Sequence, residues 1–569
     1  MSMVKGLFAR KKGPSLREME VKPPEFGEEP EYLKEYIRKF VEETGREEPQ
    51  IVDKIPGDMK NAREFNVIYP IGQGIFIHTF NDPMTETGYN KYNVVDPPPP
   101  DKRLFELVEY KLATIITEED VPRSSEEKKK ILLAAVDLIV SPTEGEVDYS
   151  KIKPTAKRIP VNAKELDYLK YHLIRDKVGV GLLEPFLLDP YLEDITANGV
   201  GPIYVIHKMF GALQSNVGFK SEEELDGFII KLGEKIGKPI SHARPIIDAT
   251  LPDGSRINIV YGSDVSLKGS NFTIRRVSKI PISVIQLIKW GTFDARIAAY
   301  MWMMLEEGMS VFICGETASG KTTSLNAISV FIRPNAKIVT IEDTAEVVMP
   351  HPNWTRELTR DTGKPETSVT MFDMLRAALR QRPNYIIVGE IRGAEGNIAF
   401  QAMQTGHPVM ATFHAANLDR LLQRLTNYPI NVPKTNLDSL NIAWFQSAVH
   451  VKGFPARRVI EIDEIIGYDP ASGAIAAVPS FTWDPVSDKF MFSGRGASYL
   501  LEEKIATMKG IPRSRLNVIY EELELRRKYL QMLADKNIVN YFDVYKAIVR
   551  AYSLGVEKAL KLLEKDQLL

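Results

Sequence analysis

The chain has 569 residues, with 73 basic and 75 acidic side chains and a formal net charge of −2. That length outgrows a single core, so two or more domains are expected, and the near-balanced charge argues against a chain-wide basic surface for nucleic acid. A single cysteine, Cys314, excludes an internal disulfide, and no apolar run approaches the roughly 18 residues that span a bilayer.

Taken in chain order, residues 1–30 read as a basic and proline-rich tail. Lys5, Arg10, Lys11, Lys12 and Arg17 precede the first acid, Glu18, with Leu7 and Phe8 among them. Such an arm suits contact with anionic lipid or an acidic partner. With no secretory h-region, the expected location is cytoplasmic, peripheral to the inner face of the cell membrane. Residues 31–150 read as a small docking subdomain: a helix at 31–44, two strands within 65–80, a stiff proline connector at 96–100, and helices at 104–117 and 125–140, the last capped by Ser125.

Residues 151–285 read as an α+β domain. Ser221 and Glu224 form a capping signature for a helix that stops near Gly237. Asp253-Gly254 marks a hairpin between strands at 244–251 and 255–261, and 271–277 supplies a third strand. Alternation puts Phe272 and Ile274 on one face and Thr273 and Arg275 on the other, so Arg275 and Arg276 point in opposite directions. A hinge is expected at 286–295, followed by a domain from 296 to 569 that ends in helices from Ser514 on. There Tyr520, Leu523, Leu530 and Leu533 recur at packing intervals.

The stretch that organises the second half is an apolar run, Val311 to Cys314, that breaks into Gly315, Glu316, Thr317, Ala318, Ser319, Gly320, Lys321, Thr322 and Thr323. Glycines at 315 and 320 allow successive N–H groups to face one concavity, as a phosphate-binding loop requires. Lys321 then reaches the β- and γ-phosphates, and the Thr322 hydroxyl is placed for Mg²⁺. A strand before the loop and helical spacing after it put the anion at a helix N-terminus.

Three more β-branched runs end in functional side chains: 337–343 in Glu342 and Asp343, 385–390 in Glu390, and 408–414 in His414. Ligands in open parallel sheets gather at the carboxyl ends of strands. Four strands would therefore deliver Lys321, Glu342, Asp343, Glu390 and His414 to one edge. Hydrolysis of a nucleoside triphosphate asks for that set: acids for Mg²⁺ and for the attacking water, and positive charge on the departing phosphate. Glu390 is assigned to Mg²⁺ and Glu342 to the water, in roles that can exchange. His407 and His414 are candidates to sense the γ-phosphate. Gly389 stands where an aspartate commonly precedes the metal-site acid.

The segments GETASGKTT, IEDTAE (341–346), VGEIRG (388–393) and TGHPVMATFHA (405–415) resemble, in order and spacing, the Walker A, Asp, Walker B and His boxes of the type II/IV secretion and pilus-assembly ATPases. The likeness is to the archaeal branch that includes the archaellum motor ATPase, and it runs from about 182 to about 468. It implies a RecA-like P-loop α/β core preceded by an α+β N-terminal domain, ATP and Mg²⁺ as cofactors, and a homo-hexamer that works a polytopic membrane platform protein. It also implies that N-terminal-domain arginines reach the nucleotide. By position these are Arg256 and Arg275, with Arg244 and Arg276 less favoured and Arg376, Arg380 and Arg392 as further candidates near the site. The implied output is assembly or rotation of a pilus-like filament. The alternative is export of pilin-like subunits, and a nucleic-acid motor is disfavoured by the charge balance.

Overall fold

The computed structural model describes residues 16–568 except 18, 20, 57, 58, 60, 61, 63, 83–87, 117–119, 277–279, 361–365 and 472. The expected basic anchors from Lys5 to Lys12 lie outside the described residues. The chain divides into two compact units, Met1–Val277 and Ser278–Leu569. Among the described residues no helix is long and apolar enough to cross a membrane.

The first unit contains β1 (Gln50–Ile51), β2 (Asn66–Gly72), β3 (Ile75–Phe80), β4 (Asn90–Val95), β5 (Val140–Thr143) and β6 (Ile159–Asn162). It continues with β7 (Leu192–Ala197), β8 (Gly201–His207), β9 (Gly211–Phe219), β10 (Ile246–Thr250), β11 (Arg256–Val260) and β12 (Asn271–Arg275). Ten of these form one sheet in the order β1-β2-β3-β4-β9-β8-β7-β12-β11-β10. A boundary at 150 is therefore overturned, because β4 pairs with β9 in parallel, Asn90 opposite Leu213. The join is chemical as well as geometric. The hydroxyls of Tyr69 in β2 and Tyr92 in β4 both donate to the carboxylate of Asp189, at 2.8 Å each. Asp189 is wholly buried, and burial raises its pKa. Removing either tyrosine would leave a buried carboxylate short of a donor.

Helices Lys102–Ile115, Ser125–Ile139 and Ala163–Leu173 share a separate apolar core that also straddles residue 150. Ser124, not Ser125, caps the second of them: its hydroxyl accepts from the Glu127 N–H. Ser221 caps helix Glu222–Lys235 as its sequence signature predicts.

The expected hinge at 286–295 is folded into the second unit. Helix Val284–Lys289 is capped by Ser283, whose hydroxyl also donates to the Val539 carbonyl at 2.7 Å. The Thr292 carbonyl accepts from the Val459 N–H at 2.9 Å. The division falls instead between Val277 and Ser278.

The second unit holds β13 (Val311–Gly315), β14 (Ile338–Glu342), β15 (Trp354–Leu358), β16 (Tyr385–Ile391), β17 (Val409–Phe413) and β18 (Ile442–Val451). After these come β19 (Phe454–Asp469), β20 (Ala474–Asp484) and β21 (Lys489–Phe492). One sheet runs β15-β14-β16-β17-β13-β18-β19-β20-β21. Its pairs from β15 to β18 are parallel and the rest antiparallel. Taken as β18-β13-β17-β16-β14, the strands read fifth, first, fourth, third, second, which is the RecA-like order.

Side chains of β13 alternate between two apolar cores. Val311 and Ile313 enter one, built with helices Ala295–Glu306, Asn517–Asp535 and Tyr541–Leu554, and Phe312 and Cys314 enter the other. Both faces of the parallel strands are thus covered, as parallel sheets require. Cys314 is fully buried, which pushes its thiol pKa up. Tyr520, Leu523, Leu530 and Leu533 pack inward, in line with their helical spacing.

One buried acid makes this unit pH-sensitive. Asp463 in β19 is 4% exposed, and burial together with the neighbouring Glu461 raises its pKa to about 7. A folded-state pKa above the unfolded value means that the stabilisation is present at low pH and is lost as pH rises through about 7. Asp463 should therefore contribute a fall in stability of about 3 kcal/mol between about pH 5 and pH 8, so urea unfolding of Asp463→Asn should show a slope flatter than that of the unmodified protein by that amount. An unchanged slope in the variant would contradict the assignment.

Candidate active site at the carboxyl edge of the parallel strands

β13 ends at Gly315, and helix Lys321–Ile328 begins directly after the loop. Gly320 has φ +91°, and a Cβ there would lie 2.9 Å from Gln446 Nε2. A Cβ on Gly315 would lie 2.2 Å from the Gln446 carbonyl oxygen. Both glycines are thus required by close approach, and Gly320 also by its backbone conformation. Inside the loop, the Lys321 amine donates to the carbonyls of Gly315 at 3.0 Å and Glu316 at 2.8 Å. Its pKa is lowered by burial, and the Glu390 carboxylate opposes that shift. Lys321 and Glu390 therefore share one electrostatic environment, as their strand-end positions predict.

Glu390 reaches the edge through a bulge. The β16–β17 register shifts between Val388 and Ile391, and the Thr412 hydroxyl donates to the Gly389 carbonyl at 2.5 Å. An extra residue in one strand re-aims the side chain there. The Glu390 side chain is 25% exposed and pairs with Arg392 at 2.6 Å. Asp343 accepts from the Thr359 hydroxyl at 3.0 Å. Glu390, then Asp343 and Glu346, help hold the Arg392 guanidinium in its charged form.

His414 follows β17, and its Nε2 lies 3.2 Å from the Thr317 hydroxyl of the loop. Burial first, then Lys321, lowers its pKa, so the imidazole is neutral near pH 7. His407 precedes β17 and hydrogen-bonds locally to Thr405. It stands roughly 20 Å from His414 along the strand, too far to share a phosphate.

Glu342 is 1% exposed. One carboxylate oxygen accepts the N–H groups of Glu346 at 2.8 Å and Val347 at 2.7 Å, and the other lies 3.4 Å from Arg356 Nε. Burial raises its pKa. The departure at Gly389 has its explanation here, since a Cβ at 389 would meet Glu342 Cγ at 3.1 Å. The loop after Glu342 is also tied to the phosphate-loop helix. Asn326 donates to the Glu346 carbonyl at 3.1 Å and accepts the Val348 N–H at 3.0 Å.

In the first unit, Arg256 and Arg275 stand directly opposite each other in β11 and β12, on the face away from buried Ile257 and Ile274. Asp194 lies opposite Arg275 on the other side, at 3.9 Å. Arg276 turns the other way and donates to the carbonyls of Phe186 and Asp189, which makes it a structural residue. Arg244 is exposed beside a β-bridge to Ser241. Arg376 lies over the Phe372 ring at 5.8 Å, and Arg380 ends the same helix.

Two residues at the loop carry no motif. Gln446 in β18 donates to the Ser319 carbonyl at 2.7 Å, and Arg457 in β19 donates to the Ala318 carbonyl at 3.0 Å. The one local signal for the first of them is a glutamine directly after the apolar run Ile442–Phe445.

Residues 176–446 match the family described as type II/IV secretion system protein. Over 535 residues the chain is 46% identical to the uncharacterized protein MJ0900 of Methanocaldococcus jannaschii, covering 92% of this chain and 96% of that one. Protein VirB11 of Agrobacterium fabrum is 29% identical over 265 residues, 42% of this chain and 76% of its own length. Among solved structures, the pilus retraction motor PilT with bound ADP aligns at a TM-score of 0.36 and 20% identity, over 49% of this chain and 80% of that one. With its four boxes, its RecA-like strand order, the family match over 176–446 and a relative 46% identical over nearly its whole length, the chain belongs to the type II/IV secretion system protein family.

Proposed function

We propose that the protein is an ATP-hydrolysing motor that acts as a homo-hexamer against a polytopic membrane platform protein and drives an archaeal pilus-like filament. The observation that carries this reading is the convergence of Lys321, Glu390, Asp343 and His414 on one strand edge beside a phosphate loop. Export of pilin-like subunits would use the same site, and the family's description names secretion directly. The proposed location is cytoplasmic, against the inner face of the membrane.

In the reaction, water attacks the γ-phosphorus and the bond to the bridging oxygen of ADP breaks. Lys321 leaves its loop carbonyls for the β- and γ-phosphate oxygens. Glu390 is exposed enough to orient the water, and neutral His414 donates a hydrogen bond to the γ-phosphate. Glu342 acts at one remove: both its oxygens are engaged, so its role is to hold the 343–347 loop rather than to touch water. This reverses the more direct part expected for it. A magnesium ion fits the donor set: the Thr322 hydroxyl and the Asp343 carboxylate would hold it, with Glu390 acting through water, and all three are hard oxygen donors. When bound it neutralises charge on the phosphates.

Arg256 and Arg275 are read as supplying the remaining positive charge from a neighbouring chain of the ring. An arginine delivered in this way is worth about 10³ to 10⁵ in rate. Specific activity should therefore climb with protein concentration across the range where rings assemble, and equal activity throughout would discard the arginine role. Lys321→Ala should abolish turnover. Glu390→Gln should keep ATP binding and lose turnover by at least about 10²-fold, whereas Glu342→Gln should chiefly lower thermal stability. Undiminished turnover in Lys321→Ala would falsify the site.

A further inference from the structure

The phosphate loop is braced from outside by two side chains whose positions fix the direction of its N–H groups. Gly315 and Gln446 stand opposite each other in the parallel register of β13 and β18. The Gln446 amide is engaged at both ends: it donates to the Ser319 carbonyl at 2.7 Å and accepts from the Ser324 hydroxyl at 2.7 Å and from Trp444 Nε1 at 3.2 Å. One buried amide thus ties the loop to the first turn of the helix that follows it. β18 then runs on to Val451 and returns as β19, where Arg457 stands opposite Ala448 and donates to the Ala318 carbonyl at 3.0 Å.

A trans peptide is planar, so a carbonyl held outward turns the next N–H the other way. The Gln446 contact therefore turns the Gly320 N–H away from β18. The Arg457 contact turns the Ser319 N–H toward the Glu316 carbonyl, 3.4 Å away. That carbonyl is also the one Lys321 reaches at 2.8 Å, which marks it as the inner side of the loop. Ala318 has φ +62°, a conformation that L-residues rarely adopt unaided. The brace thus falls on the residue whose backbone most needs holding. Arg457 itself stands on a firm base. The adjacent Arg458 points to the opposite face, where it pairs with Asp488 at 2.8 Å and donates to the Trp290 carbonyl at 3.2 Å. Gln446 is the last residue matched by the family and Arg457 lies beyond it, so this part of the brace is supplied by a segment outside the matched region.

The geometry points to Gln446 and Arg457 as positioning residues: Gln446 holds the Gly320 N–H toward the phosphates of a bound nucleotide, and Arg457 fixes the Ala318 turn that carries it. This rests on the reading of the loop as a nucleoside triphosphate site. Arg457 is exposed, so its loss spares the core. In full-length protein, Arg457→Ala should weaken ATP binding and raise KM by about tenfold, with a smaller fall in kcat and an unchanged melting temperature. It should also speed amide hydrogen exchange across the loop. Arg457→Lys should restore part of the affinity, and Gln446→Glu, which keeps the acceptors for Ser324 and Trp444 but loses the donor, should copy the affinity loss. ATP affinity and loop exchange equal to the unmodified protein in Arg457→Ala, alongside an inactive Lys321→Ala, would overturn the brace alone. ATP bound as tightly by Lys321→Ala as by the unmodified protein would instead overturn the nucleotide site.

Discussion

In the second unit β13 hydrogen-bonds β17 on one side and β18 on the other, all three in parallel, and the site depends on that pairing. Parallel pairing sends every strand's carboxyl end to one edge, and only there do the loop after β13, the bulge in β16 and the histidine after β17 meet. The cost is that the strands must be apolar on both faces, because helices cover each side. Val311 to Cys314 are accordingly all buried.

The same edge explains how the charges are arranged. Lys321 is partly buried, which lowers its pKa, and the Glu390 carboxylate beside it opposes that shift and favours the charged amine. Glu342 lies deeper, and desolvation dominates even though two backbone N–H groups and Arg356 oppose it. A carboxylate held that tightly sets the path of a loop well and contacts solvent poorly. Adjacent strand-end acids thus stand in different settings, because one is buried and held by the Glu346 and Val347 N–H groups and the other is turned outward at a bulge.

Much of this arrangement was legible in the residues themselves. The phosphate loop, the strand ends and the opposite orientations of Arg275 and Arg276 all follow from local period and turn chemistry. What escaped depends on distant partners. Nothing local in Asn90 to Val95 says that β4 will pair with β9, since the partners that cross that pair, Gln214 with Lys91 and Asn216 with Val94, lie more than a hundred residues along the chain. The hinge was misplaced because the helix after Ser283 is held by Val539 and Val459, far along the chain. Arg457 looked like any exposed arginine until the hairpin brought it to Ala318. His407 shared a motif with His414 but sits at the other end of the same strand.

The central claim is that several strand ends serve one triphosphate. The most direct measurement is a structure of the protein with magnesium and a non-hydrolysable ATP analogue. The account predicts β- and γ-phosphates inside the 315–322 loop, Lys321 swung from its loop carbonyls onto them, and Glu390 and His414 facing the terminal phosphate. An analogue bound elsewhere, or one in the loop with Glu390 and His414 turned away from it, would contradict the account.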